Sequence, residues 1–363
     1  MLPWRSGNFL ELMKLLIITQ KIDEGDDLLG FMHGWIAEFA KHCEQVTAIG
    51  LYVGSHHLPE NVKVLSLGKE GGVSRLKYLW NFYRHVIRER KNYDAVFVHM
   101  NPEYVVLGGI LWKLMGKKIG LWYAHGHVPL MLRVAVHGAD AIFTSTESGF
   151  RLPSQKKHVV GQGIDTERFQ LASRVWKKDS PFRLIIVGRV SPVKDLETLL
   201  RATSILRKEG RMVTVDIIGG AGLPEQVSYI EKLKTLTNEL VISDCVTFRG
   251  AVANSAIAPY LRDAHCFVNT SHTGSFDKAV GEAMATGLPV LTSNVAFQEV
   301  LGPVFSKTLM FPPGDSIVLG EHLRVLMEKT DSDRNLLGEG LRGRIETSHG
   351  LNGFVKKILT EYK

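Results

Sequence analysis

The chain has 363 residues, of which 45% are hydrophobic and 22% are charged. These values exclude disordered and fibrous proteins, and at about 150 residues per domain the length predicts two domains. The net charge is 44 − 37 = +7. It favours an anionic partner (a nucleotide, a membrane surface or a nucleic acid) without choosing among them. The three cysteines have no metal-ligand spacing, which predicts a reducing, cytoplasmic location.

Short apolar segments alternate with segments of helical period along nearly the whole chain. In the first half, strands are predicted at residues 14–19, 46–53, 62–67, 95–100, 118–124, 141–145 and 158–160. This alternation is typical of a parallel sheet covered by helices on both faces. Residues 1–12 precede the first strand, lack the features of a signal peptide and are interpreted as a non-native extension.

A polar stretch without apolar period, residues 165–181, interrupts the pattern before it restarts. Further strands are predicted at 184–187, 213–218, 246–248, 266–269 and 289–292. The fold class is therefore α/β, with two Rossmann-like domains, 1–170 and 171–348, that face each other across a cleft. A final helix in 349–363 is expected to pack back on the first domain. Open parallel sheets bind ligands beyond the carboxyl ends of their strands, so the loops there are candidate sites.

The first such loop, G-R-V-S-P-V-K, starts at Gly188 between a predicted strand and a predicted helix. Arg189 offers a bidentate fork, Lys194 a point charge and the helix N-terminus its N–H groups, a combination that favours a bound diphosphate. The alternative is that both cations are solvated, but their position at a strand end favours the anion site. A P-loop and a G-x-G-x-x-G motif after the first strand are both missing, which disfavours ATPases and nicotinamide enzymes.

The second loop is rich in glycine and serine and leads into a helix that carries Glu282. A carboxylate early in such a helix can accept two hydrogen bonds from a vicinal diol, as a ribose presents. The backbone N–H groups of the preceding loop then remain available for another ligand. The alternative is that Glu282 only stabilises its own helix through the helix dipole.

With these loops the sequence resembles the glycosyltransferases of family 4, retaining enzymes with the two-Rossmann GT-B fold. The matching motifs are G-R-x-S-x-x-K at 188–194, V-x-F-x-G at 246–250 and E-A-M-A-x-G-x-P-V at 282–290, with weaker matches at 161–165 and 311–315. The resemblance runs over most of the chain. It implies transfer of a sugar from a nucleotide-diphosphate sugar, with an acceptor domain first and a donor domain second. It also implies retention of configuration and no requirement for a metal ion or another cofactor.

The resemblance implies roles for particular residues. Arg189 and Lys194 would hold the donor diphosphate and neutralise the leaving group, and Glu282 would bind the donor ribose. His125 corresponds to a family histidine near the transferred sugar, although a packed or solvent-facing histidine is the alternative. Gly30 matches the second glycine of a Gly-Gly turn near the phosphates, but Leu29 occupies the first position. The backbone of Gly250, Ala251 and Val252 would lie near the base.

One position departs from the family pattern. Eight residues before Glu282 the family usually has an acid, and here the residue is Gly274. We hypothesise that Asp277 contacts the donor sugar, while Gly274 and Ser275 offer backbone N–H groups. The alternative is that Asp277 only caps the following helix. The predicted catalytic residues are thus Arg189, Lys194, His125 and Asp277, and the predicted donor-binding residues are Glu282, Gly274, Ser275, Phe276, Gly30, Gly188, Gly250, Ala251 and Val252.

The acceptor side is predicted from residues 73–94, a basic and aromatic-rich segment of helical period. Such a helix can lie on an anionic membrane. The alternative, a helix with a buried core face and a solvated basic face, is slightly favoured. The predicted acceptor is a glycan or a lipid-linked molecule, and the protein would be cytoplasmic or peripheral on the inner face of the membrane. Nucleic acid is not a predicted partner, because no recognised binding module accompanies the charge.

Two other functions remain open from the sequence. A sugar-nucleotide epimerase of the GT-B fold would share the layout and the diphosphate site, although the E-A-M-A loop argues against it. A non-catalytic sugar-nucleotide-binding partner subunit would explain Gly274 and the incomplete Gly-Gly turn. The identity of the base is not predicted, because base contacts in this fold are made largely by the backbone.

Overall fold

The structure is a computed structural model that describes residues 13–177, 179–222 and 224–363. The extension predicted at 1–12 lies outside the described residues. Two parallel sheets, each covered by helices, account for nearly all of the regular structure. Each strand predicted from the sequence is present, and its ends agree with the prediction to within three residues. The α/β class with two Rossmann-like sheets is therefore confirmed.

The N-terminal sheet has seven parallel strands in the order β3-β2-β1-β4-β5-β6-β7. The strands are β1 Lys14–Ile22, β2 Gln45–Val53, β3 Val62–Ser66, β4 Ala95–His99, β5 Lys118–Trp122, β6 Ala141–Thr144 and β7 Lys157–Val159. The helices of this domain are α1 Phe31–His42, α2 Arg75–Arg88, α3 Pro102–Leu114 and α4 Leu130–Gly138. Strands β1 and β4 are central and almost continuously apolar, because helices cover both of their faces.

The C-terminal sheet has five parallel strands in the order β10-β9-β8-β11-β12. The strands are β8 Phe182–Val187, β9 Val213–Ile218, β10 Val246–Gly250, β11 Cys266–Asn269 and β12 Val290–Thr292. The helices are α5 Leu196–Lys208, α6 Pro224–Glu239, α7 Ile257–Asp263, α8 Lys278–Ala285, α9 Phe297–Leu309, α10 Ser316–Glu328, α11 Asp331–Ser348 and α12 Leu351–Thr360. Within the described ranges, every helix is too short or too polar to cross a membrane.

The last helix, α12, packs against the N-terminal domain although it follows the C-terminal one. The ring of Phe354 lies 4.2 Å from that of Trp35 between centroids, and the Tyr362 hydroxyl donates to the Val96 carbonyl at 2.9 Å. Both aromatic side chains belong to the core that α1 forms with the sheet. The amphipathic pattern of 351–362 therefore has its apolar face buried against the first domain.

Two chain segments run side by side where the domains are joined. The Ile164 N–H donates to the His349 carbonyl at 2.7 Å, and the Leu351 N–H donates to the Ile164 carbonyl at 2.8 Å. Gly163 adopts φ +63°, and a Cβ there would lie 2.8 Å from the Trp35 ring, so only glycine fits. The Trp35 indole N–H donates to the Gly163 carbonyl at 2.8 Å, which ties this crossing to α1.

Candidate functional site

Loops from the carboxyl ends of both sheets meet in a cleft between the domains. This is the position at which open parallel sheets bind ligands. The hydrogen bonds that join the domains there include Gly126 N–H to Ser275 Oγ (3.2 Å), Glu147 N–H to Glu299 Oε1 (3.0 Å) and Lys278 Nζ to the Gly163 carbonyl (3.3 Å). The predicted donor loops of the second domain are thus in direct contact with the first.

Gly188 turns the chain out of β8 into the loop that carries the predicted diphosphate ligands. It adopts φ +139°, and its N–H donates to the Ile218 carbonyl at 2.9 Å. A Cβ on the neighbouring Gly219 would lie 1.9 Å from the Gly188 carbonyl oxygen, so the two backbones touch. Arg189 follows, and its side chain is exposed. It has no hydrogen bond or ion pair with any residue that the structure describes, so its charge is available to a ligand.

Lys194, at the end of the same loop, is already paired. Its ammonium group contacts the Asp277 carboxylate, which also accepts a hydrogen bond from the Asn269 amide at 2.9 Å. Asp277 is at the same time the N-cap of α8, since its Oδ1 accepts from the Ala279 N–H at 3.3 Å. The capping alternative from the sequence is therefore observed, and in addition Asp277 orients Lys194.

The N-terminus of α5 is less available than the sequence predicts. The Leu196 N–H donates to the Tyr229 hydroxyl at 3.3 Å. The N-cap Asp195, at φ +45°, places its carboxylate beside the helix start and accepts from Thr198 Oγ1 at 2.7 Å. An anion near the start of α5 would be repelled by this carboxylate. The loop therefore attracts anions mainly through the side chains of Arg189 and Lys194.

Glu282 lies one turn into α8 and is 2% exposed. Its Oε1 accepts from the Asn254 Nδ2 at 3.1 Å. Burial raises the pKa of this carboxyl, while the nearby Lys278 ammonium and the Asn254 hydrogen bond oppose the rise. The charged neighbour of Glu282 that sequence reasoning missed at this site is Lys278, whose spacing of four residues from Glu282 on the same helix was the available signal.

Lys278 reaches across the cleft from the C-terminal domain. Its Nζ lies 4.4 Å from the centroid of the Phe31 ring and donates to the Gly163 carbonyl. Burial lowers the pKa of this ammonium to about 8, although Glu282 and Asp165 raise it. The Lys278 side chain therefore links α8 to the start of α1 and to the interdomain crossing.

The loop 273–277 contains the remaining predicted donor-loop residues. Gly274 adopts φ +62°, and Ser275 uses its hydroxyl to accept the cross-domain hydrogen bond from Gly126. Phe276 packs against the Phe297 and His349 rings at centroid distances of 4.9 and 4.8 Å. The Phe276 side chain thus lies in the core, and in this position it supports the loop rather than lining the cleft.

The N-terminal domain contributes His125 and Gly30 from different loops. His125 is exposed, and its Nδ1 accepts from the His127 N–H at 3.0 Å. Partial desolvation and the nearby His127 and Arg151 lower the pKa of His125, which favours the neutral ring. A Cβ on Gly30 would lie 2.4 Å from the Asp26 carbonyl oxygen and 3.5 Å from the Asn254 Cβ. Gly30 thus lets the loop before α1 approach the C-terminal domain beside Asn254, the hydrogen-bond partner of Glu282.

The predicted base-binding segment lies at the end of β10. Gly250 adopts φ +73°, and its carbonyl accepts from the Gly219 N–H at 2.8 Å. Gly250 and Ala251 are exposed, and Val252 is half-buried.

Among the described residues, no group of three or more His, Cys, Asp or Glu side chains is placed to hold a metal ion.

Comparison with known proteins finds a family match in the C-terminal domain. The family described as glycosyl transferases group 1 matches residues 181–329. D-inositol 3-phosphate glycosyltransferase of Streptomyces scabiei is 31% identical over 181 residues, which are 44% of this chain and 40% of that protein. The amylovoran biosynthesis glycosyltransferase AmsK of Erwinia amylovora is 33% identical over 147 residues, 39% of this chain and 34% of that protein. The matches thus span less than half the length of these curated relatives.

Solved structures match over nearly the whole chain. Anabaena Alr3699/HepE in complex with UDP superimposes with a TM-score of 0.75 at 17% identity, covering 96% of this chain and 99% of that one. Sucrose-phosphate synthase of Thermosynechococcus elongatus gives a TM-score of 0.73 at 17% identity, covering 96% and 98%. At these identities the likeness establishes the fold. Residues 181–329 of the chain are thus similar to the group 1 glycosyl transferases, and the chain as a whole has the two-domain GT-B fold.

Proposed function

We propose that this protein transfers a sugar from a nucleotide-diphosphate sugar to an acceptor, with retention of the anomeric configuration. The observation that carries the proposal is Arg189, an exposed cation without a partner among the described residues, next to Lys194 at the carboxyl end of β8. The matching glycosyltransferase family and the UDP complex of a protein with this fold support a nucleotide sugar as the donor.

The charges of the site suit this chemistry. Breaking the bond between the sugar and the diphosphate leaves negative charge on the departing diphosphate and positive charge on the sugar ring. Arg189 stabilises the diphosphate through paired N–H groups, and Lys194 adds a cation that Asp277 and Asn269 hold in place. We propose that these two cations replace a divalent metal ion, and that attack occurs on the face from which the diphosphate leaves.

A binding panel tests the donor. UDP, GDP, ADP and their common sugar conjugates, each in buffer with EDTA, are added to the full chain while its melting temperature is measured. Ligand that binds the native state raises the melting temperature by mass action. We expect one nucleotide series, either the UDP, the GDP or the ADP compounds, to raise the melting temperature. A panel without any shift would contradict the proposal, and binding without slow hydrolysis of the donor would indicate a non-catalytic partner subunit instead.

Glu282→Gln is the matched variant for the ribose contact. The amide oxygen can still accept from Asn254 as Glu282 does at 3.1 Å, so the fold should persist, but the charged acceptor for the ribose hydroxyls is lost. We expect affinity for the selected diphosphate to fall about 10- to 100-fold.

In the same assay, Asp277→Asn should weaken binding of the sugar conjugate more than binding of the bare diphosphate if Asp277 contacts the sugar. An equal effect on both ligands would show that Asp277 does not contact the sugar and only caps α8 and pairs with Lys194.

We further propose that a lipid-linked acceptor approaches along α2. In α2 the side chains of Phe82 and Val86 are buried, whereas Leu76 is 80% exposed and Trp80 63% exposed. A buried core face therefore does not account for the apolar residues of this basic helix. Beside it lies a groove of about 840 Å³. Lys69 and Arg75 are its basic lining residues, Glu103 is an acidic one, and most of the rest of its wall consists of leucine, tyrosine and phenylalanine side chains.

Vesicle sedimentation tests the membrane contact. We expect the protein to sediment with vesicles that contain phosphatidylglycerol and to stay in solution with pure phosphatidylcholine, because α2 combines basic and apolar side chains. The double variant Leu76→Ser, Trp80→Ser should lose the binding. The control pair Val325→Ser, Leu336→Ser removes two exposed apolar residues elsewhere and should keep it. If the α2 double variant and the control double variant bound the anionic vesicles equally well, a role of α2 in membrane contact would be contradicted.

A further inference from the structure

Arg151 is a second cation in the cleft that has no partner among the described residues, and the proposed chemistry does not use it. It follows the short helical turn Glu147–Gly149, and its side chain is exposed. It makes no hydrogen bond or ion pair with any described residue. Two acids of the neighbouring segments are engaged elsewhere, since Glu147 pairs with Lys157 and Glu299 accepts from the Glu147 N–H. Within the described ranges, no acidic side chain therefore pairs with the charge of Arg151.

The guanidinium lies between two glycines, one from each domain. A Cβ on Gly126 would lie 2.9 Å from the Arg151 Cζ, and a Cβ on Gly274 would lie 3.3 Å from its Nη2. Any larger residue at Gly126 would displace the group, and Gly274 is also held to glycine by its φ of +62°. The two glycines leave room for a planar cation against the backbone of both domains. Arg151 therefore stands where the donor loop 273–277 meets the loop of His125.

At position 274 the family pattern places a negative charge, whereas this chain places the positive charge of Arg151 beside that position. An acid at position 274 would accept hydrogen bonds from the hydroxyl groups of a neutral sugar. Gly274 supplies no acceptor side chain, and the group beside it is instead a guanidinium with paired N–H donors. That fork matches the two oxygens of a carboxylate, and because the guanidinium is always charged, the match persists at any physiological pH.

We propose that Arg151 binds the carboxylate of an acidic sugar, so that a hexuronic acid takes part in the reaction. The inference rests on the proposed glycosyl transfer and names its substrate class. Because Arg151 belongs to the acceptor domain and touches the donor loop, the carboxylate has two sources. It belongs to the transferred sugar or to the sugar that receives it.

Two experimental arms separate these sources. The donor arm compares a nucleotide-linked hexuronic acid with the neutral hexose on the same nucleotide, such as UDP-glucuronate and UDP-glucose. The acceptor arm adds methyl glucuronoside or methyl glucoside to protein saturated with the bare diphosphate. Dissociation constants are measured by calorimetry on the full chain. We expect the carboxylate form to bind about 10- to 100-fold more tightly in one arm.

Arg151→Met should abolish that preference, and Arg151→Lys should retain part of it. Arg201→Met, which removes another exposed arginine, from helix α5, should leave it unchanged. All variants should bind the bare diphosphate as the parent does. Diphosphate binding without a carboxylate preference in either arm would overturn the inference and leave the glycosyl transfer intact. A preference that survives in Arg151→Met would also overturn it, whereas loss of diphosphate binding in the parent protein would overturn the proposed function itself.

Discussion

The variant Arg189→Ala is expected to lower the turnover of donor cleavage by about 10²–10³, the usual loss when one preorganised donor to developing charge is removed. The guanidinium has no partner among the described residues, so its interaction energy is available to the leaving diphosphate. For the same reason its removal should change the free energy of unfolding by no more than about 0.5 kcal/mol. The measurement is the release of nucleoside diphosphate from the donor without acceptor, together with the melting temperature.

Arg201→Ala is the control for Arg189→Ala, because it removes one exposed positive charge from α5 of the same domain. It should keep both turnover and melting temperature. Lys194→Ala is a poorer probe, since it also leaves the Asp277 carboxylate with one side-chain partner fewer. Equal turnover in Arg189→Ala and Arg201→Ala would show that Arg189 takes no part in the leaving-group chemistry.

The variant Phe354→Ala should lower the free energy of unfolding of the N-terminal domain by about 3–5 kcal/mol, the range for truncating a buried phenylalanine. Phe354 is 1% exposed and packs against Trp35 at 4.2 Å between ring centroids. Its loss leaves a cavity between α12 and α1. Urea unfolding followed by tryptophan fluorescence measures the change, because Trp35 and Trp122 both lie against Phe354.

Lys356→Ala on the exposed side of α12 provides the comparison for Phe354→Ala. It should change the free energy of unfolding by less than about 0.5 kcal/mol. If Phe354→Ala were as mild as this control, α12 would not be part of the N-terminal core. The helix holds the chain end on the first domain, and its first residues pair with the crossing at Ile164, so such a result would also question the close contact between the domains.

The elements of the fold were predictable because their signals are local. A buried parallel strand is a short apolar run, and a helix has an apolar period, so both appear in the order of residues alone. The loop of Gly188 was recognisable for the same reason, since its motif is contiguous. Helix capping is also a local signal. One of the two interpretations of Asp277 was that it caps the following helix, and Asp277 does cap α8.

The sequence by itself determined the two sheets, the loops at their carboxyl ends and the residue types that those loops carry. Only the tertiary structure decided which charges are paired. Lys194 meets Asp277, 83 residues away, while Arg189 has no partner in the part of the chain that the structure describes. Arg151 lies between glycines of two domains, and Lys278 reaches α1 across the cleft. Such pairings depend on distances between side chains far apart in the chain, and these distances exist only after both domains have packed together.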